Sequence, residues 1–240
     1  MKKKNPVLLT LPLLALLAAP PAWADNQGSS RGHWGETQAW RLQVGVLEPR
    51  GESSYWDDLS FDFTGDADNF DDALVGLEYT RYVSDRLGVV ASASAFEGTS
   101  ELSYRDYVDE FGNDIYHSTD LDMATFNLGL LVHLTRRDRA IVPYLGAGGG
   151  LYSWRLTEHG DFIDFSLATP EVFFDIFEDD GTSLGYYLQA GLEVPVARSV
   201  SVFAEGRWQR ADAKLEGDFA GLGDLDLSGR TLSAGLTWSF

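Results

Sequence analysis

The 240-residue sequence lacks cysteine altogether and contains only four lysines. The absence of cysteine excludes a disulfide scaffold, a thiolate zinc site and cysteine-based catalysis. Beyond the N-terminus there is also no run of about 20 apolar residues, so the chain does not cross a membrane as a helix. Basic residues are few, with 18 Lys and Arg against 37 Asp and Glu and a net charge of −19. Because nucleic-acid binding needs several basic side chains to neutralise phosphates, the charge balance argues against a nucleic-acid partner.

The N-terminus has the three parts of a secretory signal peptide. Residues 2–4 are lysines, residues 7–19 form an apolar core, and Ala-Trp-Ala at 22–24 gives a small-x-small cleavage site. The apolar core is too short to span a bilayer. The sequence therefore predicts an exported protein with three parts: a signal peptide (1–24), a short periplasmic segment (25–37) and a membrane domain (38–240).

Apolar and polar residues alternate with a period of two in eight later segments, as in strands whose two faces meet different surroundings. These segments lie at about 39–47, 73–83, 87–96, 123–135, 141–154, 183–194, 200–209 and 231–240. One face of each strand is apolar, as with Leu128, Leu130 and Val132 in the fourth. Polar residues occupy the opposite face: Arg41, Glu78, His133, Gln189, Glu193, Glu205 and Arg207. An apolar outside around a polar inside is the inverse of a soluble β-protein and predicts a membrane barrel.

The connections between these segments alternate in length. Three are short turns (84–86, 136–140 and 197–198), and four are long loops (about 49–72, 97–122, 156–182 and 211–228). This plan predicts an all-β fold: an eight-stranded, antiparallel, up-and-down transmembrane β-barrel with three short periplasmic turns and four long extracellular loops. The long loops hold 29 of the 37 acidic residues. They are also rich in aromatic residues, so we expect the strands to continue above the membrane as an ordered cap.

Charged residues on the inward face predict how the lumen is filled. Arg41, Glu78, Glu193, Glu205 and Arg207 all fall on that face. Eight strands enclose just enough room for side chains, and opposite charges in such a space pair to avoid the cost of isolated buried ions. We therefore predict an ion-pair network that plugs the lumen. The alternative is a small channel for cationic or hydrophobic solutes, with the acidic mouth concentrating cations.

Aromatic residues mark the expected membrane interfaces. Trp40 falls at one interface together with Trp238 and Phe240, while Tyr186 and Trp208 fall near the other, as aromatic girdles require.

Three stretches make the sequence similar to the small outer-membrane β-barrels of Gram-negative bacteria, such as the membrane domain of outer-membrane protein A. They are the signal peptide, the glycine-rich run at 143–152 and the terminal alternation Leu-Thr-Trp-Ser-Phe at 236–240. In that family the terminal motif, here Leu236, Trp238 and Phe240, is read by the barrel-assembly machinery. The resemblance therefore implies that machinery, periplasmic chaperones, outer-membrane lipid and lipopolysaccharide as partners, and the cell outer membrane as the location.

The acidic loops suggest a divalent-cation site. Asp66, Asp68, Asp71 and Asp72 offer closely spaced carboxylates that suit Ca²⁺ or Mg²⁺, although the glycine and glutamate of an EF-hand are missing. Cations that bridge loop carboxylates to lipopolysaccharide phosphates are one alternative, and a solvated repulsive surface is another. No other cofactor is indicated.

Some barrels in the family that the sequence resembles modify lipid A by means of a histidine, a serine and an acid. The run Tyr-His-Ser-Thr-Asp at 116–120 brings those residue types together, but neighbours in sequence rarely form a triad. We therefore predict a structural or surface-interaction role without catalytic residues, and keep a lipid A-modifying enzyme as the second alternative.

Overall fold

A computed structural model describes residues 37–65, 67–70, 72–166 and 169–240. The predicted signal peptide (1–24) and residues 25–36 lie outside this part. The strands in it are β1 (Gln38–Pro49), β2 (Asp72–Tyr82), β3 (Leu87–Val108), β4 (Asp114–His133), β5 (Val142–Asp164), β6 (Glu171–Pro195), β7 (Val200–Lys214), β8 (Asp224–Asp226) and β9 (Gly229–Ser239). A helix, α1 (Ser54–Asp62), follows β1, and two short 3₁₀ turns lie at Ala67–Phe70 and Gly217–Phe219. Within the described residues, no helix is long and apolar enough to cross a membrane.

Eight of these strands close into an antiparallel ring. Each of β1 to β7 pairs with the next, and β9 pairs with both β7 and β1. The three-residue strand β8 lies outside the ring and pairs with the end of β7 at Ala213 and Leu225. The eight-stranded barrel predicted from the alternation is therefore confirmed.

The outward face of β7 shows where the barrel leaves the membrane. Its first outward residues are apolar, including Val202 and the exposed Trp208, and the next ones are Arg210, Asp212 and Lys214. The inward face changes in the opposite sense, from Glu205, Arg207 and Gln209 to Ala211, Ala213 and Leu215. We call the part with apolar outward residues the membrane band. The extracellular extension comprises the described residues of 48–71, 97–122, 155–182 and 210–229.

Two long hairpins, β3–β4 and β5–β6, form most of the extension. The 25 residues of β6 would reach about 80 Å at 3.3 Å per residue, whereas crossing a membrane takes about ten. At the ends of these hairpins β3 ends at Val108 and β4 begins at Asp114, while β5 ends at Asp164 and β6 begins at Glu171. Much of the sequence expected as loops at 97–122 and 156–182 is therefore strand, as the aromatic content of those loops suggested.

The end of the barrel above the membrane is closed by α1. Tyr55, Trp56 and Leu59 lie on one side of this helix and are buried, while Asp57 in its first turn complements the positive end of the helix dipole. The buried side joins a large apolar cluster inside the extension. The helix thus fills the opening that the strands alone leave.

Candidate functional site: the barrel interior and its extracellular end

Arg41 lies inside the membrane band and is almost fully buried. Its Nη1 is 3.2 Å from Glu78 Oε1 and 3.7 Å from Glu205 Oε2, and its Nη2 is 3.5 Å from Glu193 Oε2. Its Nε donates a hydrogen bond to Thr237 Oγ1 at 3.3 Å. One arginine therefore connects carboxylates from β2, β6 and β7 across the lumen.

Arg207 is the second cation of this cluster. Its Nη2 lies 3.6 Å from Glu78 Oε2 and 3.6 Å from Glu205 Oε1, and it donates a hydrogen bond of 2.7 Å to Gln189 Oε1. The structure thus brings together all five residues of the predicted ion-pair network. Because each arginine has at least two carboxylates nearby, the cost of burying its charge is offset within the lumen.

Aromatic rings fill the space around the charges. The Arg41 guanidinium carbon lies 4.5 Å from the centroid of the Tyr144 ring and 4.2 Å from that of Phe203. Tyr144 also donates a hydrogen bond to Glu205 Oε2 at 3.0 Å. Arg207 is covered by Tyr187 at 4.4 Å. Charges and rings together occupy this level of the interior.

The glycine-rich strand β5 makes room for one of these rings. A β-carbon at Gly148 would lie 2.7 Å from Tyr187 Cε1 and 2.7 Å from the backbone of Gly129. The glycine therefore allows both the close approach of β4 and the placement of Tyr187 in the lumen.

A large apolar cluster fills the interior where the band meets the extension. Among the described residues, twenty buried side chains form it, including Phe96, Leu121, Trp154 and Leu156 from the strands and Trp56 from α1. Sequence reasoning expected an ordered cap but did not identify α1 or its contacts. The available signal was the pair of aromatic residues at 55 and 56 within an otherwise acidic segment.

Asp226, in the last loop, ties α1 to the barrel. Its carboxylate accepts backbone hydrogen bonds from Glu52 (3.1 Å) and Ser228 (2.8 Å), and its carbonyl accepts one from Trp56 Nε1 at 3.1 Å. Its own backbone N–H donates to Ser53 Oγ at 3.2 Å. The first and last loops are therefore joined through one buried acid.

His117 faces the interior of the extension among aromatic rings. The centroid of its ring lies 4.5 Å from that of Phe63 and 5.1 Å from that of Phe162, and neither of its nitrogens has a hydrogen-bond partner among the described residues. Burial lowers its pKa from the ordinary 6.5 to about 4, and His159 adds to the effect. The imidazole is therefore neutral near pH 7.

The run at 116–120 cannot act as a catalytic triad in this fold. His117 points inward, whereas Ser118 and Asp120 lie on the opposite face of β4. Asp120 instead lies 3.6 Å from His159 Nδ1 on the outer surface. His133, also in β4, is buried beside Tyr82 and Tyr144, and it has no hydrogen-bond partner among the described residues.

Of the four acids of the predicted divalent-cation site, Asp72 is the one whose side chain lies in the described part of the chain. Asp66, Asp71 and the side chain of Asp68 lie outside the described part, and Asp72 Oδ1 accepts a hydrogen bond from the next backbone N–H, at Ala73. Among the described residues, no three histidine or acidic side chains are grouped to hold a metal ion.

The predicted interface residues lie on the outer face of the membrane band. Trp40 pairs in register with Trp238 near one end, and Leu236 and Phe240 are exposed on the same strand end. Tyr186 and Trp208 are more than half exposed toward the other end, on neighbouring strands. The two groups are separated along the strands, as the two interfaces of a membrane require.

A closed antiparallel ring with an apolar outer band and a filled interior defines a small membrane β-barrel. The chain belongs to the outer membrane protein beta-barrel domain family, whose model matches residues 9–240. It is accordingly a protein of the cell outer membrane. No curated protein sequence matches the chain.

Several solved barrels are similar to this chain. Neisserial surface protein A has a TM-score of 0.52 at 14% identity, over 85% of this chain and 97% of the other. Outer membrane protein OprG from Pseudomonas aeruginosa gives 0.49 and 14%, over 85% and 95%. The outer membrane protease OmpT from Escherichia coli gives 0.40 and 12%, over 85% and 94%. At 14% identity the likeness to Neisserial surface protein A shows the fold alone.

Proposed function

We propose that this protein is a closed, non-enzymatic outer-membrane anchor that presents a rigid acidic platform for binding a partner outside the cell. The observation that carries the proposal is the filled interior. The charged cluster around Arg41 and the apolar cluster around Trp56 lie one above the other, so a solute would have to displace both in turn.

The tips of the two long hairpins are the surface that we propose for recognition. Phe111 and Phe174 are 80% and 67% exposed, and Tyr107 of β3 packs edge to face on Phe165 beyond β5 at 4.9 Å. The tip segments also hold many acids: Asp106, Asp109, Glu110, Asp114, Asp161, Asp164, Glu171 and Asp175. Exposed aromatic rings in an acidic field suit a partner that carries both apolar and basic groups.

Conductance in planar bilayers separates the closed anchor from the channel alternative. We expect the refolded protein to give no steps at neutral pH and moderate salt, while a porin prepared in the same way conducts. Steady, cation-selective steps from folded, heat-modifiable protein would overturn the closed barrel and favour a channel with an acidic mouth.

Binding to a basic protein surface tests the platform. We expect vesicles that contain the protein to bind lysozyme-coated beads, and the double substitution Phe111→Ser with Phe174→Ser to weaken this binding at least tenfold without changing the charge. Phe61→Ser, which removes an 81% exposed ring from α1, is the matched control. Equal binding by the wild type, the double variant and the control would mean that charge alone holds the beads. That result would contradict the proposed role of the tips.

A further inference from the structure

A cavity of about 250 Å³ opens beside α1 at the extracellular end, next to the apolar cluster. Much of its wall is aromatic: Tyr55, Phe63, Phe162, Phe177 and Phe219. The ring centroids of Phe162 and Phe177 lie 4.9 Å apart at 75°, and those of Tyr55 and Phe219 lie 6.2 Å apart at 75°. The wall is thus a packed set of rings from α1, β5, β6 and the turn after β7. Aromatic faces of this kind attract organic cations.

The same cavity carries one sign of charge. Asp58, Asp62, Glu158 and Asp218 line it, and its lining includes no lysine or arginine. Asp58 and Asp62 are one turn apart on α1, Glu158 comes from β5, and Asp218 comes from the turn after β7. The acids therefore surround the opening from three elements, and a ligand that complements them is positively charged.

Glu158 is the acid that is most enclosed. Tyr55 donates a hydrogen bond of 2.7 Å to its Oε1, and its Oε2 accepts none from the described residues. Burial raises the pKa of Glu158, and burial together with the adjacent carboxylate raises that of Tyr55 well above its usual value. A cation in the cavity would offset the cost of keeping this carboxylate ionised away from water.

We propose that this cavity binds an organic monocation, with a quaternary ammonium head facing Glu158 among the aromatic rings and an apolar substituent against Leu59 and Phe219. A bare divalent cation suits the cavity less well, because it prefers six to eight oxygen ligands and the walls are mainly carbon. This inference goes beyond the proposed function, since it requires neither a closed lumen nor a partner at the hairpin tips.

Benzyltrimethylammonium is the probe that tests the site. Calorimetric titration of the full protein in a sugar-headed detergent avoids competition from phosphocholine headgroups. We expect the cation to bind at least tenfold more tightly than benzyl alcohol or benzenesulfonate, which carry a similar ring with no charge or the opposite charge. No binding of the cation, or equally tight binding of benzyl alcohol, would overturn the proposal.

Paired substitutions locate the site. Glu158→Gln should weaken binding of the probe at least tenfold, whereas Glu178→Gln, the same change on the outer face of β6, should leave it within twofold. Asp62→Asn and Asp57→Asn form a second pair on α1. Of these two residues, Asp62 lines the cavity and Asp57 does not. If both members of each pair lost the same affinity for the probe, the cation would be held by the overall negative charge of the surface. That result would contradict binding in the cavity. The conductance result has no bearing on either pair, so the two proposals fail separately.

Discussion

The membrane band and the extracellular extension use the same strands with opposite polarity. In the band, Val44 and Leu128 face outward while Arg41 and Glu205 are buried. In the extension, Glu101 faces outward, while Leu102 and Leu156 are buried. The antiparallel pairing crosses from one region to the other without a register shift, from Leu87 to Ser103 in β3 and from His117 to His133 in β4. The polarity of the outward side chains therefore matches the surrounding medium, which is lipid in the band and water in the extension. The inward side chains have the opposite polarity in each region.

Removing the central cation of the band should have the largest effect. Arg41→Met removes the cation that Glu78, Glu193 and Glu205 share while they stay buried, and breaking buried pairs in this way costs about 3–5 kcal/mol. Urea unfolding in lipid vesicles, followed by tryptophan fluorescence, measures the loss. Arg50→Met is the matched control, because its pair with Glu52 is solvent-exposed and contributes at most about 1 kcal/mol. Equal stability of the two variants would mean that the lumen charges do not depend on their partners.

The corresponding change in the extension removes an apolar anchor. Trp56→Ala should cost about 3–4 kcal/mol, because it leaves a cavity beside Phe70 and deprives Asp226 of a hydrogen bond. Since α1 attaches to a closed ring, we expect this loss to appear as local opening of the helix. Protease cleavage within 50–65 should accelerate while the urea midpoint of the barrel barely changes. A large fall in that midpoint would show that the two interiors do not act separately.

One substitution on each outer face tests the change of medium. Val44→Arg places a charge in the lipid-facing band and should cost about 2–3 kcal/mol, whereas Glu101→Arg in the water-facing extension should cost almost nothing. Unfolding of both variants in lipid vesicles gives the comparison. If Glu101→Arg destabilised the barrel as much, the boundary between band and extension would lie higher than we place it.

The smallest effect concerns pH and His117. The pKa of this side chain is about 4 in the folded protein against 6.5 unfolded, so only the unfolded chain takes up the proton between those values. Stability is therefore complete above pH 6.5 and falls by about 2 kcal/mol on going from pH 7 to pH 5. His117→Phe should remove this part of the pH dependence, measured as the difference in unfolding free energy from wild type at the two values. A constant difference would contradict the buried neutral imidazole.

The sequence predicted the membrane band well because its alternation is uninterrupted there. Leu128, Leu130 and Val132 on one face, and His133 on the other, required only a period of two and a lipid exterior. The five lumen charges could be grouped because an eight-stranded barrel leaves little room between them.

The extension was harder to predict because the alternation changes phase. Along β4 the inward residues are apolar at Ile115 and Leu121 but polar at Thr125 and Asn127. The apolar residues thus change from the inward to the outward face, and the alternation does not continue as one pattern along the strand. The sequence from 97 to 122 therefore looks like a loop, although most of it is strand. The contact between Tyr55 and Glu158 joins residues far apart in the chain, and no local sequence pattern predicts it.

Amide hydrogen exchange of the protein in lipid vesicles tests the central claim most directly. If the barrel continues as one closed structure above the membrane, the strand amides at 98–103, 117–122 and 155–162 should exchange as slowly as those of the band. The turn at 109–113 serves as a fast-exchanging reference within the same protein. Exchange of the extension at the rate of that turn would contradict the account and reduce the extracellular part to loops.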